Sequence, residues 1–257
     1  MAIITLTTDF GESDHYVGAV KGKIASLNPG IQVVDITHEI EHFDLAHGSF
    51  VLRSVFREFP AGTVHLVAVD SIGPAETKFI AVKLEDHFFV CPDNGLLGLV
   101  SDKEADLVIE LHDPNKQKSA FPARDIFTPA AVHLASGKDI HDLGKPLPEI
   151  KKMLGRVLRA TKKQLTGHVV RVDHYGNLIT NIEQEIFFKL KEDRKFKLVF
   201  GRENVSRIHQ SIQDTSSGDC FVIFNSLGFL EIGINKGNAA QLLGLRFDTP
   251  VTVVFEE

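Results

Sequence analysis

The chain has few of the residues that mark specialised protein classes. Its 257 residues include no tryptophan, two tyrosines, two methionines and two cysteines. Cys91 and Cys220 lie far apart and form no CxxC pattern, which argues against a zinc site and against a disulfide framework. We therefore predict two reduced thiols that pack inside the fold.

Long apolar runs and blocks of like charge are also missing. No stretch approaches about 18 apolar residues, and the opening MAIITLTTDFG has neither a basic leader nor a small-residue cleavage site. The net charge of −6 is spread along the chain, without a basic block. We expect no nucleic acid and no membrane as a partner. The composition, 43% hydrophobic and 24% charged, is typical of a globular protein, and we predict a cytoplasmic location.

Several common catalytic motifs do not occur. The sequence has no GxxxxGK[ST] loop, no GxGxxG after a strand and no GxSxG elbow, so ATPase, Rossmann dehydrogenase and serine hydrolase functions lose support. A histidine and carboxylate cluster does occur at 38–47, and the spacing of His38 and His42 would place two imidazoles on one side of a helix. Because the HExxH order is absent, we favour a surface segment leading into a helix and predict no metal site.

Hydrophobic periodicity predicts two domains. Strand 3–8, a helix after Ser13 and strand 31–37 form a βαβ unit, followed by a helix at 44–58, strand 64–69, a hairpin at 79–91, strand 107–111 and a helix at 124–135. We predict an α/β N-terminal domain with a mostly parallel sheet at 1–144. A polar, basic linker follows at 145–166. Short β-rich runs at 167–257 predict a compact, smaller β-barrel or sandwich domain.

Four apolar runs end at an acidic residue followed by a turn. They are TTDFG at 7–11, VDSIGP at 69–74, CPDNG at 91–95 and VDHYGN at 172–177. A carboxylate at the end of a buried strand loses hydration unless it has partners, and open α/β sheets bind ligands at those strand ends. Asp9, Asp70, Asp93 and Asp173 are therefore candidates for one polar site.

These motifs also carry a resemblance to a known family. Together with RDIF at 124–127 and NSLGFLEIGIN at 225–235, they resemble the S-adenosylmethionine hydroxide adenosyltransferases, relatives of the fluorinating and chlorinating adenosyltransferases. The resemblance implies an α/β domain followed by a β-barrel domain, and a homotrimer that binds S-adenosylmethionine between subunits. It implies no cofactor. The reaction is attack by water or halide on the ribose C5′, which expels methionine and, with water, gives adenosine.

The resemblance assigns substrate contacts in both halves. Asp9 would accept hydrogen bonds from the ribose hydroxyls, although it could instead cap the following helix. Asp14 would contact the ribose or the methionine, or only favour the helix dipole. Phe121 would supply an apolar wall, or only core packing. In the C-terminal half, Asp173 would bind the methionine ammonium and Asn177 the adenine, unless both only shape an Asx turn. Other contacts to the nucleoside or amino-acid portion would come from Ser226, Glu231 and Ile234.

One part of the family pattern is incomplete. Hydroxide-transferring members carry an Asp, an Arg seven residues later and a His just before the RDIF-like block, and here these positions hold Asp70, Thr77 and Pro122. Lys78 could replace the arginine charge, but lacks its fixed fork. We predict water attack with Asp70 as the catalytic carboxylate. A binder of S-adenosylmethionine or adenosine without turnover is the alternative. Halide transfer is less favoured, because a carboxylate repels halide.

Overall fold

The computed structural model describes residues 2–74, 76–112 and 119–256. The chain divides into two compact units, Met1–Met153 and Leu154–Glu257. Residues 145–166, the predicted linker, include most of a strand of the first unit and two strand segments of the second. Among the described residues, no helix is long and apolar enough to cross a membrane.

The first unit contains a seven-stranded mixed sheet in the order β2-β1-β3-β5-β4-β6-β7. Its strands are β1 (Ile3–Thr8), β2 (Gln32–Thr37), β3 (Val64–Ala68), β4 (Phe79–Leu84), β5 (His87–Pro92), β6 (Leu107–Leu111) and β7 (Gly144–Leu147). The pairings of β1 with β2, β1 with β3, and β3 with β5 are parallel. Those of β4 with β5, β4 with β6, and β6 with β7 are antiparallel. Half of the strand pairings are parallel, so the prediction of a mostly parallel sheet is correct only in part. The sheet is mixed because the β4–β5 hairpin reverses the chain direction.

Helices cover both faces of this sheet. They are α1 (Tyr16–Leu27), α2 (Leu45–Val55) and α3 (Thr128–Ala135), with a 3₁₀ turn at Phe56–Glu58 and a π-helical turn at Ala123–Phe127. Alternate residues of β3 point to opposite faces. Leu66 packs in one apolar core with Val20 of α1, and Val67 packs in another with Leu52 of α2. Burial on both sides explains why β3 has no polar outer face.

Local signals set the helix ends in the first unit. The Asp44 carboxylate accepts a hydrogen bond from the His47 backbone N–H at 2.9 Å and caps α2. The α1 helix begins at Tyr16, and its preceding residue His15 makes no side-chain capping bond. The alternative role of Asp9 as a cap for this helix is therefore wrong. Cys91 is buried and Cys220 is half-buried, and both are free.

The second unit is an antiparallel, nearly closed, barrel-like sheet in the order β12-β11-β15-β9-β10-β14-β13, with β8 paired to β9. Its strands are β8 (Arg159–Ala160), β9 (Gln164–Val172), β10 (Leu178–Glu183), β11 (Phe196–Phe200), β12 (Glu203–Val205), β13 (Cys220–Phe224), β14 (Phe229–Ile234) and β15 (Pro250–Phe255), with helices α4 (Gln184–Lys191) and α5 (Ala239–Leu243). Phe187 of α4 is fully buried in the core that the strands enclose. The fold therefore agrees with the predicted barrel.

Candidate functional site

Asp9 follows β1 and binds two other loops of the first unit. Its Oδ2 atom accepts the backbone N–H of Phe43 at 3.1 Å and that of Asp70 at 3.0 Å. Asp9 is 8% exposed, so these bonds replace the hydration that the carboxylate loses on burial. No donor among the described residues bonds to Oδ1, which leaves one acceptor atom for a ligand.

Asp70 follows β3 in an unusual backbone conformation. Its φ is 47°, and that of Phe43 is 64°, both in the left-handed region that side chains disfavour. Asn94, in the turn after β5, donates from Nδ2 to the Val69 carbonyl at 3.0 Å and accepts from the Leu96 N–H at 3.2 Å. Asn94 therefore shapes the turn and also holds the residue before Asp70.

A cavity of about 370 Å³ opens beside these loops. Four residues predicted for the site line it, namely Asp9, Asp14, Asp70 and Phe121. The remaining wall is formed by Phe10, Tyr16, His42, Phe43, Ser71, Ile72, Ala120 and Pro122. Asp14 is exposed and precedes α1, so it lies outside the first helical turn. The cavity combines carboxylates with aromatic surface, as a site for a cationic nucleoside would.

Phe121 belongs both to the cavity wall and to the core. Its ring centroid lies 5.8 Å from Phe10 and 5.3 Å from Tyr16, both edge-on. The Arg124 guanidinium lies 5.3 Å from the Phe121 centroid and forms an ion pair with Asp125. This aromatic group gives the cavity a rigid apolar side.

The two positions predicted to depart from the family pattern, Thr77 and Pro122, have different surroundings. Pro122 lines the cavity and precedes the π-helical turn Ala123–Phe127, so no side-chain hydrogen bond can come from that position. Neither Thr77 nor Lys78 lines the cavity. The Lys78 ammonium forms an ion pair with Glu110 at 3.1 Å. The Lys78 charge is therefore paired with Glu110 and does not line the cavity.

Other predicted candidates have structural roles. Asp93 does not line the cavity; its Oδ1 accepts the Lys151 backbone N–H at 2.8 Å. In the histidine cluster, His38 bonds Thr8 at 2.9 Å, and His47 accepts the Glu41 N–H at 3.1 Å. Within residues 2–74, 76–112 and 119–256, no group of three or more His, Cys, Asp or Glu could hold a metal ion.

Two predicted residues of the second unit, Asp173 and Asn177, lie in one turn at 173–177. Asp173 accepts the Asn177 backbone N–H through Oδ1 at 2.8 Å and its side-chain amide through Oδ2 at 3.2 Å. The Asp173 carboxylate thus closes the turn, but it accepts the N–H four residues on, and not two residues on as in an Asx turn. Gly176 has a φ of 84°, and a Cβ there would lie 2.2 Å from Asn238. Only glycine fits this close approach.

A second cavity, of about 440 Å³, lies beside this turn. Two predicted residues, Asn177 and Ile234, line it. Its other lining residues are Tyr175, Ile212, Phe221, Asn235, Lys236, Gly237 and Asn238. Apolar rings next to amides form a surface on which a planar heterocycle could stack and bond.

Glu231 and Ser226 do not line this cavity. Glu231 is 8% exposed and accepts a hydrogen bond from Asn225 at 3.1 Å. Burial raises the pKa of Glu231, the Asn225 bond partly offsets this, and the negative charge of Asp173 raises it further. Ser226 is exposed in the turn between β13 and β14. Glu231 is therefore linked to the 173–177 turn, whereas Ser226 is not.

Sequence reasoning missed several lining residues. Phe43, Ser71, Tyr175 and Phe221 lie next to predicted motifs or within strands, where their composition resembles ordinary loop or core sequence. Two of them lie inside motifs that could have pointed to them, Ser71 in VDSIGP and Tyr175 in VDHYGN. His42 was noticed, but as part of a metal-like cluster instead of as a cavity residue.

Both units of the chain match domains of the same protein family. Residues 4–144 match the family described as the SAM hydroxide adenosyltransferase N-terminal domain, and residues 167–252 match its C-terminal domain. The chain is 32% identical to the (R)-S-adenosyl-L-methionine hydrolase of Methanocaldococcus jannaschii, over 98% of this chain and 96% of that protein. It is 23% identical to a fluorinase from an Actinoplanes species, over 98% and 97%.

A solved structure is also similar over nearly the whole chain. The crystal structure of an uncharacterized conserved protein from Thermotoga maritima matches with a TM-score of 0.89 and 33% identity, covering 98% of this chain and 99% of that one. Both domain matches occur in family order, and together they leave out only short segments of the sequence. The chain belongs to the S-adenosylmethionine hydroxide adenosyltransferase family.

Proposed function

We propose that this protein hydrolyses S-adenosylmethionine to adenosine and methionine. The observation that carries the proposal is the cavity of the first unit, where Asp9 and Asp70 from neighbouring strand ends meet the aromatic wall at Phe121. Near-full-length similarity to proteins named (R)-S-adenosyl-L-methionine hydrolase supports the same substrate and reaction.

The reaction demands little covalent chemistry from the protein. Water attacks the ribose C5′, the C5′–S bond breaks, and sulfur leaves as a neutral thioether. Because the sulfonium is already positive, no general acid is needed. The protein must hold C5′ in line with the water and exclude other solvent. The Phe121 wall suits the second task, and Asp70 is the carboxylate that orients the water.

Asp9 would bind the ribose through one oxygen. Its Oδ2 already accepts two backbone hydrogen bonds, from Phe43 and Asp70. Since Oδ1 has no described donor, a ribose hydroxyl would bond there. The predicted role of Asp9 is retained in a modified form, in which the same carboxylate organises the site and binds substrate. Asp14, at the cavity rim, would contact the methionine portion.

The second unit would recognise the adenine and the amino-acid group. Asn177 lines a cavity with Phe221 and Ile234, which supports adenine stacking there. Asp173 already accepts two bonds from Asn177, so its contact with the methionine ammonium would add to that network. We further propose that Glu231 and Ser226 complete this end, that no cofactor takes part, and that the protein is a cytoplasmic homotrimer with binding sites between subunits.

The first experiment is product analysis with purified protein. S-adenosylmethionine is incubated with the protein, with and without chloride, and the nucleosides are separated against a control without protein. We expect adenosine and methionine, and no halogenated nucleoside. Asp70→Asn should lose turnover while retaining substrate binding, measured by calorimetry. Appearance of 5′-chloroadenosine in place of adenosine would overturn the proposed reaction.

A binder without turnover is a second candidate, because Pro122 lines the cavity where the family pattern has histidine. In this case S-adenosylmethionine would raise the melting temperature but remain intact. Pro122→His tests the point directly. If the protein binds without turnover because this imidazole is absent, Pro122→His should produce adenosine where the wild-type protein produces none. A Pro122→His variant that still leaves the substrate intact would show that this position is not what prevents turnover.

A further inference from the structure

His42 places an imidazole in the cavity of the first unit. It is exposed, and among the described residues that line this cavity it is the only histidine. No hydrogen bond to its ring occupies either nitrogen within the described parts of the chain. Both nitrogens are therefore available to a ligand or a water molecule.

Neighbouring imidazoles in the same unit have partners of their own. His38 bonds Thr8, and His65 bonds both Thr5 at 2.7 Å and His87 at 3.1 Å. These rings are buried and committed to the structure. His42 differs from them in exposure, in its unbonded ring and in lining the cavity.

The backbone holds His42 close to the Asp70 loop. The next residue, Phe43, donates its N–H to the same Asp9 oxygen that accepts the Asp70 N–H, at 3.1 and 3.0 Å. Both donors have left-handed φ values, which persist only where the surroundings enforce them. One buried carboxylate oxygen thus connects the loop of His42 to the backbone of Asp70.

The cavity wall at Pro122 offers no proton acceptor. Pro122 lines the cavity and has no group that can take a proton. The titratable groups that share the cavity with His42 are the carboxylates Asp9, Asp14 and Asp70, with Tyr16 at its side. Imidazole is the side chain best matched to proton transfer near neutral pH.

We propose that His42 is the general base of the hydrolysis, because it is the imidazole that lines the cavity. This rests on the proposed function. A ring nitrogen takes a proton from the attacking water as the water oxygen bonds to C5′. The C5′–S bond breaks, and its electron pair stays on the sulfur of methionine. The imidazolium then releases its proton to solvent, and Asp70 orients the water.

The test compares His42→Gln and His42→Ala with wild-type protein and with His141→Gln, an exposed histidine outside the cavity. Wild-type turnover of S-adenosylmethionine is measured first, because its absence would refute hydrolysis itself and leave no reaction for His42 to assist. We expect His42→Gln to lose roughly 10²-fold in kcat with little change in KM. We also expect it to lose the acid limb of the kcat profile, with an unchanged melting temperature.

Added imidazole should restore part of the activity of His42→Ala, since a small base can enter the exposed position. A structural role for His42 would move neither the pH profile nor the response to imidazole. If wild-type protein hydrolyses the substrate, and His42→Gln retains both its rate and its acid limb, the general-base assignment is wrong while the hydrolase function stands.

Discussion

At the scale of single residues, the two oxygens of the Asp9 carboxylate have different surroundings. Its Oδ2 accepts hydrogen bonds from the N–H groups of Phe43 and Asp70, two residues with left-handed backbone conformations. No described donor bonds to its Oδ1, which is therefore available to a ligand. The strand-end position predicted a polar role for Asp9. Which of its two oxygens is occupied depends in part on the N–H of Phe43, which lies in a loop from another part of the chain.

Replacing Asp9 should therefore affect stability as well as binding. Asp9→Ala leaves the Phe43 and Asp70 N–H groups without their acceptor, and we expect a loss of about 1–3 kcal/mol in the free energy of unfolding. Urea denaturation measures this loss, and calorimetry measures the affinity for S-adenosylmethionine.

Asp14→Asn is the matched control, because Asp14 lines the same cavity but is exposed. Its free energy of unfolding should change by less than about 0.5 kcal/mol. Equal stability of Asp9→Ala and wild-type protein would contradict the structural role of Asp9.

At the scale of elements, the 173–177 turn connects two strands and builds the second cavity. Asp173 and Asn177 close the turn with three hydrogen bonds, two from the Asn177 backbone and side chain to the carboxylate and one from the Asp173 N–H to the Asn177 carbonyl. Gly176 lets the turn approach Asn238, at the start of α5. The turn position therefore depends on a helix more than 60 residues later in the chain.

Gly176→Ala should distort this cavity. The new Cβ incurs the left-handed backbone penalty of about 1–2 kcal/mol and also meets Asn238. Gly244→Ala is a matched control, because Gly244 has a φ of 67° and a Cβ added there would have no atom within 4 Å. Urea denaturation should show a larger loss of stability for Gly176→Ala. If the two variants lose the same free energy of unfolding, the clash with Asn238 does not destabilise the protein, and the prediction is wrong.

At the scale of the whole molecule, each unit has its own core and its own tyrosine. Tyr16 lies in the first unit and Tyr175 in the second, and the chain has no tryptophan. In a Tyr175→Phe variant, tyrosine fluorescence reports on the first unit alone. The first unit contains a buried chain of hydrogen bonds from Thr5 through His65 to His87, and this fluorescence signal can follow its response to pH.

The first unit should lose stability as the pH falls. Burial, helped by the charge of His87, lowers the pKa of His65 from 6.5 to about 3. Below pH 6.5 the unfolded chain therefore takes up a proton that the folded chain refuses. The free energy of unfolding should fall between about pH 6.5 and pH 3, by up to about 1.4 kcal/mol per pH unit from this group.

His65→Gln isolates this contribution in the Tyr175→Phe background. Glutamine does not titrate, so urea midpoints between pH 4 and pH 7 should depend less on pH, although the variant is less stable throughout. His141→Gln, an exposed substitution in the same unit, should keep the original dependence. An identical pH dependence in the His65 variant would disprove the effect.

The sequence alone determined the elements and most of the candidate residues. Apolar periodicity located strands such as β6 and the β4–β5 hairpin, because burial repeats with the geometry of each element. Acidic residues at strand ends identified Asp9 and Asp70, because a carboxylate is costly there without partners. These properties are local, so the order of residues is sufficient to find them.

Tertiary structure decided which of these residues meet. Asp9 and Asp70 share one cavity, while Asp93 bonds Lys151, and β4 turns the sheet from parallel to mixed. The sequence suggested His42 only as part of a metal-like cluster, whereas the tertiary structure places it in the cavity wall. Strand pairing and loop contacts join residues that are distant in sequence, and periodicity carries no information about which distant segments pair.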